Sequence, residues 1–182
     1  DWQGDQDTAV FCLPWMIRSI CSATTEASLV ETLITAATLT GDDGFIHDSN
    51  GRPYFGEVNI FISYGWAAKF KGLAQAIEFS HSMYQAKTFP FFWIDVFAVA
   101  QCKHTDAARS HNSDDMSAFE EPIAASQSTW LYDVENSIRR VWCCYEVVKT
   151  IDHGHQLRMA IDHDDYCNYV QAFNSGRPDM MG

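Results

Sequence analysis

The run Glu57-Val-Asn-Ile-Phe-Ile-Ser63 marks the point at which the sequence pattern changes. From there, apolar strand-like runs alternate with helix-length segments, which is typical of an α/β domain with a parallel sheet. The segment Val58–Ser63 is rich in β-branched and aromatic residues, as a buried parallel strand is. It therefore predicts the first strand of such a sheet.

Toward the C-terminus, the same alternation predicts three more strands, within residues 91–97, 129–134 and 157–161. Between these strands and after the last of them, apolar residues at helical spacing predict four helices, over residues 69–84, 118–126, 139–151 and 165–173. The polar connection Lys103–Ser117 predicts a surface loop. No fifth strand is evident, which indicates a domain that is incomplete at its C-terminus.

This order of elements predicts a flavodoxin-like, doubly wound parallel sheet with strand order 2-1-3-4. Its ligand crevice lies at the carboxyl ends of the first and third strands, here Ser63-Tyr-Gly-Trp66 and Asp133-Val-Glu135. Trp142 and Glu146, on the helix that follows, are four residues apart and share a helical face. They either present a ring and an acid to one ligand, or Trp142 is core and Glu146 pairs with Arg139 or Lys149.

Toward the N-terminus, residues 1–56 predict a helical extension and a loop, distinct from the α/β unit of residues 57–182. The stretch Thr24–Leu39 has apolar residues at helical spacing and a hydroxyl residue for the N-cap. The stretch Asp48–Pro53 is dense in turn-forming residues and predicts an exposed turn.

Composition excludes several classes of protein. The 182 residues, 47% of them apolar, suit one sizeable core. A formal net charge of -12 argues against a nucleic-acid partner, because such a field repels phosphate backbones. The longest apolar run, Phe89–Ala100, is interrupted by Asp95 and is about half the length that a membrane span needs, so no membrane insertion is expected.

The six cysteines include no C-x-x-C pair and suit neither a disulfide framework nor a zinc site. They predict reduced thiols in a cytoplasmic protein. His153, His155, His163 and Cys167 can bind metals, but their spacing fits no zinc pattern, and a solvated loop is favoured. Cys143 lacks a histidine at a spacing suited to a nucleophilic relay, which favours core packing.

Three sequence blocks resemble those of the Toll/interleukin-receptor (TIR) family. They are Phe61-Ile-Ser-Tyr64, Phe92-Trp-Ile-Asp-Val-Phe-Ala-Val-Ala-Gln101 and Arg140-Val-Trp-Cys-Cys-Tyr-Glu-Val147. The chain is most similar to a divergent TIR-like group of algae, protists and bacteria, over about residues 57 to 165. The resemblance implies a signalling domain that cleaves NAD at the bond between nicotinamide and ribose, with NAD as substrate and no separate cofactor or metal.

The resemblance also implies a role for individual residues. The family's catalytic carboxylate corresponds to Glu146, which would stabilise the oxocarbenium-like transition state. Tyr64, Trp66 and Trp142 would lie beside the nucleotide rings, Ser63 and Asp95 would line the same pocket, and Arg140 would meet the pyrophosphate.

The family also contains non-catalytic modules, which assemble as homo-oligomers or within larger protein complexes. An interaction or scaffold module is therefore the alternative function. The loop after the second strand lacks the family's basic residue and its Pro or Gly, so assembly through this loop is not expected.

Overall fold

Residues 28–39, 47, 51–84, 90–99 and 113–176 are described by the computed structural model of the protein. Within them, four strands form one parallel sheet in the order β2-β1-β3-β4. The strands are β1 (Ile60–Ser63), β2 (Phe92–Trp93), β3 (Ser128–Tyr132) and β4 (Gln156–Ala160). The predicted α/β class is confirmed, and the four strands lie in the predicted order.

The helices of the described residues flank this sheet. They are α1 (Leu29–Leu39), α2 (Phe70–Met83), α3 (Asp95–Ala98), α4 (Ser113–Ala125), α5 (Val134–Ser137), α6 (Val141–Asp152) and α7 (His163–Asn174). For α2, α6 and α7 the predicted ends agree with the structure to within two residues, because each has a clear apolar face at helical spacing.

The two faces of the sheet contact different helices. One face packs against α2 in a buried cluster that includes Ile60, Ile62, Leu73, Ala76 and Trp130. On the other face, the hydroxyl of Thr129 on β3 lies 2.6 Å from that of Thr150 on α6. Because side chains alternate along a strand, α2 and α6 lie on opposite faces of the sheet. The chain therefore leaves β1 and β3 toward opposite sides.

Two predicted elements differ from the structure. The second strand was predicted over residues 91–97 but ends at Trp93, and the helical turn α3 begins at Asp95. A continuous apolar run fits a buried strand and a buried helical turn equally well, so periodicity does not place this boundary. Helix α4 begins at Ser113, within the predicted loop, whose residues 103–112 lie outside the described residues. Polarity alone does not separate a loop from the first turns of a helix.

Helix α1 begins later than predicted. Ser28 precedes it, and the Ser28 Oγ accepts a hydrogen bond from the Glu31 N–H at 3.1 Å. In return, Glu31 Oε2 accepts one from the Ser28 N–H at 2.7 Å. This reciprocal pair is a capping box, which satisfies two backbone donors at the helix start. The predicted helical residues before Ser28, and Asp48–Asn50 of the predicted turn, lie outside the described residues.

Candidate functional site

The predicted site lies where β1 and β3 end side by side. These strands are paired neighbours, with Ser63 opposite Leu131. Ser63 is the last residue of β1, and Tyr64, Gly65 and Trp66 follow it. In open α/β sheets, ligands bind where the chain leaves two neighbouring strands toward opposite faces, and the carboxyl ends of β1 and β3 are such a place.

Glu146 reaches this edge of the sheet from α6. Its residue is only 8% exposed, and its Oε2 accepts a hydrogen bond of 2.6 Å from the Ser63 hydroxyl. Burial raises the pKa of Glu146 from 4.5 to about 8; the Ser63 hydrogen bond opposes this rise, Asp95 adds to it, and Arg140 opposes it. Ionisation of Glu146 is therefore unfavourable at this buried position, and a cation placed beside the carboxylate favours it.

The alternative pairing of Glu146 with a basic residue on a solvated face is wrong. Arg139 Nη2 lies 3.0 Å from the Glu135 carboxylate, and both side chains are exposed. Lys149 Nζ lies 2.9 Å from the Glu120 carboxylate. Both candidate partners thus pair elsewhere, while Glu146 is directed into the protein toward the end of β1.

Asp95 brings the segments after β1 and β2 together. It is the first residue of α3, and one of its carboxylate oxygens accepts a hydrogen bond from the Tyr64 hydroxyl. The other oxygen accepts one from the Trp66 indole N–H at 2.7 Å. Burial raises the pKa of Asp95, while the bonds from Tyr64 and Trp66 oppose that rise. Tyr64, Trp66 and Asp95 are therefore one hydrogen-bonded unit.

Arg140 lies at the same edge of the sheet. It is the N-cap residue of α6, and a Cβ at Gly65 would lie 3.7 Å from Arg140 Cδ. Its aliphatic part therefore passes close to the backbone of Gly65. A guanidinium at this position lies near both a helix N-terminus and Glu146, whose pKa it lowers.

Trp142 has other neighbours. Its half-buried ring lies 5.9 Å from that of Phe119 on α4, which in turn is 5.5 Å from Trp93. Trp142 thus belongs to an aromatic contact between α6, α4 and the sheet. Its predicted place beside a nucleotide ring stays a prediction.

Sequence reasoning missed the residues that hold Glu146 in place. The Thr150 hydroxyl donates to the backbone carbonyl of Glu146 at 2.7 Å and contacts Thr129 on β3. The buried Cys143 thiol contacts the carbonyl of Tyr64 at 3.5 Å, in agreement with the predicted core packing. The sequence holds one signal for this contact, a threonine four residues after Glu146 on the same helix. The signal is weak, because the hydroxyl of a helical threonine commonly donates to the carbonyl of the preceding turn.

No match was found when the chain was compared with family models, with curated proteins and with solved structures. The site must therefore be interpreted from its own geometry. Among the residues described, no group of three or more His, Cys, Asp or Glu side chains is arranged to hold a metal ion. None of the described helices has the length and apolar character needed to cross a membrane.

A separate groove lies between α1 and β2. It has a volume of about 500 Å³ and is lined mainly by apolar residues, among them Leu29, Leu33, Phe91 and Phe97. None of the seven predicted site residues lines it. Its lining carries no carboxylate, so it offers none of the chemistry that Glu146 provides.

Taken together, the edge of the sheet presents one buried carboxylate held by a hydroxyl, a second carboxylate occupied by two aromatic donors, and a guanidinium. These groups can offer a carboxylate to a cationic part of a ligand and a guanidinium to an anionic part. The carboxylate of Glu146 can stabilise positive charge that develops on a bound molecule.

Proposed function

We propose that the chain is a TIR-like, flavodoxin-like domain that cleaves NAD at the bond between nicotinamide and ribose, with Glu146 as the catalytic carboxylate. The observation that carries this proposal is the burial of Glu146 against Ser63 at the carboxyl ends of β1 and β3. The three sequence blocks that resemble the TIR family converge on this same edge. A cytoplasmic location, which the cysteine pattern predicts, belongs to the proposal.

The proposed reaction needs one carboxylate. Nicotinamide departs as a neutral molecule with the electron pair of the glycosidic bond, and positive charge develops on the ribose carbon. The ionised Glu146 stabilises that charge. Water then adds to the carbon and loses a proton, so that the products are ADP-ribose, nicotinamide and one proton. No general acid is required, because the leaving group does not carry away negative charge.

The other residues of the edge bind and orient the substrate in this proposal. Trp66, which is partly exposed, offers an aromatic surface to a nucleotide ring, whereas Tyr64 is buried in the core cluster and supports Asp95. Arg140, at the N-terminus of α6, attracts the pyrophosphate. Ser63 holds the carboxylate of Glu146 in one position through its 2.6 Å hydrogen bond. The cationic nicotinamide of NAD favours the ionised form of Glu146 when it binds beside it.

The test is nicotinamide release from NAD by the purified protein, measured at pH 9, where Glu146 is mainly ionised in the free protein. We expect Glu146→Gln to lower kcat by about 100-fold or more, the effect of losing an electrostatic stabiliser of a transition state. Glu78→Gln is the matched control, because Glu78 is an exposed carboxylate on α2 that belongs to neither strand end of the site. It should leave kcat unchanged. Release at the buffer level by the concentrated wild-type protein would refute the enzymatic function.

A second candidate function is assembly of the domain with copies of itself. The outward face of α6 carries an apolar row in which Val141 is 82% exposed, Val148 53% and Ile151 62%. These residues lie at positions i, i+7 and i+10, on one side of the helix. In a protein of net charge -12, an uncharged row is the surface on which two copies repel each other least.

A further inference from the structure

Asp95 accepts three hydrogen bonds from groups of the protein. The Tyr64 hydroxyl and the Val96 N–H, the latter at 2.6 Å, bond to Oδ1, and the Trp66 indole N–H bonds to Oδ2 at 2.7 Å. Both oxygens are therefore occupied by donors of the protein itself. The resemblance to the TIR family implies a residue that lines the substrate pocket, whereas this arrangement leaves Asp95 little capacity to bind a substrate directly.

The three donors come from two strand ends. Tyr64 and Trp66 follow β1, while Asp95 and Val96 follow β2, which is its paired neighbour. A carboxylate is only an acceptor, and an indole N–H is only a donor. The hydrogen bond between them therefore forms only when the N–H edge of the Trp66 ring faces Asp95. Hydrogen bonds to a carboxylate are shorter and stronger than those between neutral groups. Tyr64 is buried in the core cluster and Trp66 is only partly buried, so Asp95 is suited to fix the orientation of the Trp66 ring while Tyr64 anchors the carboxylate.

We propose that Asp95 is a positioning residue, which is anchored by the buried Tyr64 and fixes the partly exposed Trp66 ring at the edge of the Glu146 site so that it receives a planar ring of the substrate. Its link to catalysis rests on the proposed NAD cleavage; its structural role does not. Glu146 acts on the bond that breaks, whereas Asp95 acts through Trp66. The two carboxylates should therefore affect different kinetic constants.

The kinetic test compares Asp95→Asn with Glu146→Gln. Asparagine keeps the size of Asp95 but has one acceptor oxygen instead of two, so it cannot accept from the Trp66 indole and from the Tyr64 and Val96 donors at the same time. We expect Asp95→Asn to raise KM for NAD by about tenfold or more, as befits the loss of a hydrogen bond to a charged group, and to leave kcat within about threefold. Asp162→Asn is the matched control, since the Asp162 carboxylate follows β4 rather than β1 or β3 and accepts from the Asp165 N–H at 2.9 Å. Its KM should equal that of the wild type.

A spectroscopic test is independent of turnover. In protein labelled with ¹⁵N at its tryptophans, the signal of the Trp66 indole N–H is assigned by its loss in Trp66→Phe. Asp95→Asn should move this signal strongly and leave those of the other five tryptophans nearly in place. If no variant releases nicotinamide while the Trp66 signal moves, the proposed function fails and the structural role of Asp95 stands. An unmoved Trp66 signal, or an unchanged KM in an active protein, would overturn the positioning role.

Substitution of the two side-chain donors, Tyr64 and Trp66, provides a second set of variants in case Asp95→Asn does not fold. Trp66→Phe and Tyr64→Phe each remove one donor and keep an aromatic ring. Each should raise KM, and Trp66→Phe combined with Asp95→Asn should raise it by less than the product of the two single effects, because both remove the same bond. Independent effects of the two substitutions would contradict the proposal.

Discussion

Glu146 shows how one buried carboxylate links stability to pH. Its pKa in the folded protein is about 8, against 4.5 for an ordinary glutamate, so the folded state binds the proton more tightly than the unfolded state does. The resulting stabilisation is complete below pH 4.5 and is lost as the pH rises toward 8. At alkaline pH the protein therefore holds an ionised group in a site that disfavours it.

We expect Glu146→Gln to be more stable than the wild-type protein at pH 9, by up to about 5 kcal/mol, and to lose this advantage at pH 4.5. Glutamine keeps the acceptor for the Ser63 hydroxyl without carrying charge. Urea unfolding at both pH values measures the free energy difference. Glu135→Gln controls for the removal of a carboxylate at an exposed position. An equal stability of Glu146→Gln and wild type at pH 9 would show that water or a cation reaches Glu146 in the folded state.

At the scale of secondary structure, the sequence predicts most elements because the apolar residues of each one follow the spacing of either a strand or a helix. β1, β3 and α6 were predicted within two residues, and with them the juxtaposition of Ser63 and Glu146 at one edge. The end of β2 was not predictable, because a run of apolar residues does not distinguish a strand from a helical turn. The partners of Asp95 lie about 30 positions away along the chain, and no local pattern encodes such a contact.

Helix α6 is joined to the sheet by a pair of buried hydroxyls. Thr150 and Thr129 lie 2.6 Å apart, and Thr150 also donates to the carbonyl of Glu146. Thr150→Val keeps the shape of the side chain but leaves the Thr129 hydroxyl buried without its partner. We expect a loss of about 1–3 kcal/mol in the free energy of unfolding, because an unsatisfied buried polar group retains its full desolvation cost.

The double substitution Thr129→Val with Thr150→Val tests the explanation. It removes both hydroxyls, so no polar group is left unsatisfied, and the protein should recover most of the stability lost by Thr150→Val alone. Urea unfolding of the two single variants and the double variant completes the cycle. Additive losses would mean that the two hydroxyls do not depend on each other.

For the whole molecule, net charge and the apolar row of α6 act in opposite directions. A charge of -12 repels a second copy at long range, whereas Val141, Val148 and Ile151 favour contact once two copies are close. Salt shortens the range of the repulsion to about 10 Å at 0.1 M and leaves the apolar contact intact. If the domain assembles with itself through this row, association must increase with ionic strength.

Sedimentation velocity at low and at moderate salt, over a range of protein concentrations, measures this association. We expect a larger fraction of dimer or higher assembly at moderate salt, and its loss in Val148→Asp, which places a desolvated charge at the centre of the contact. Val170→Asp is the matched control: Val170 is an exposed valine on α7, away from the row, and adds the same charge to the molecule. An equal loss in both variants would assign the effect to net charge rather than to the row. A monomer at every salt and protein concentration would refute self-assembly and leave the Glu146 site as the basis of function.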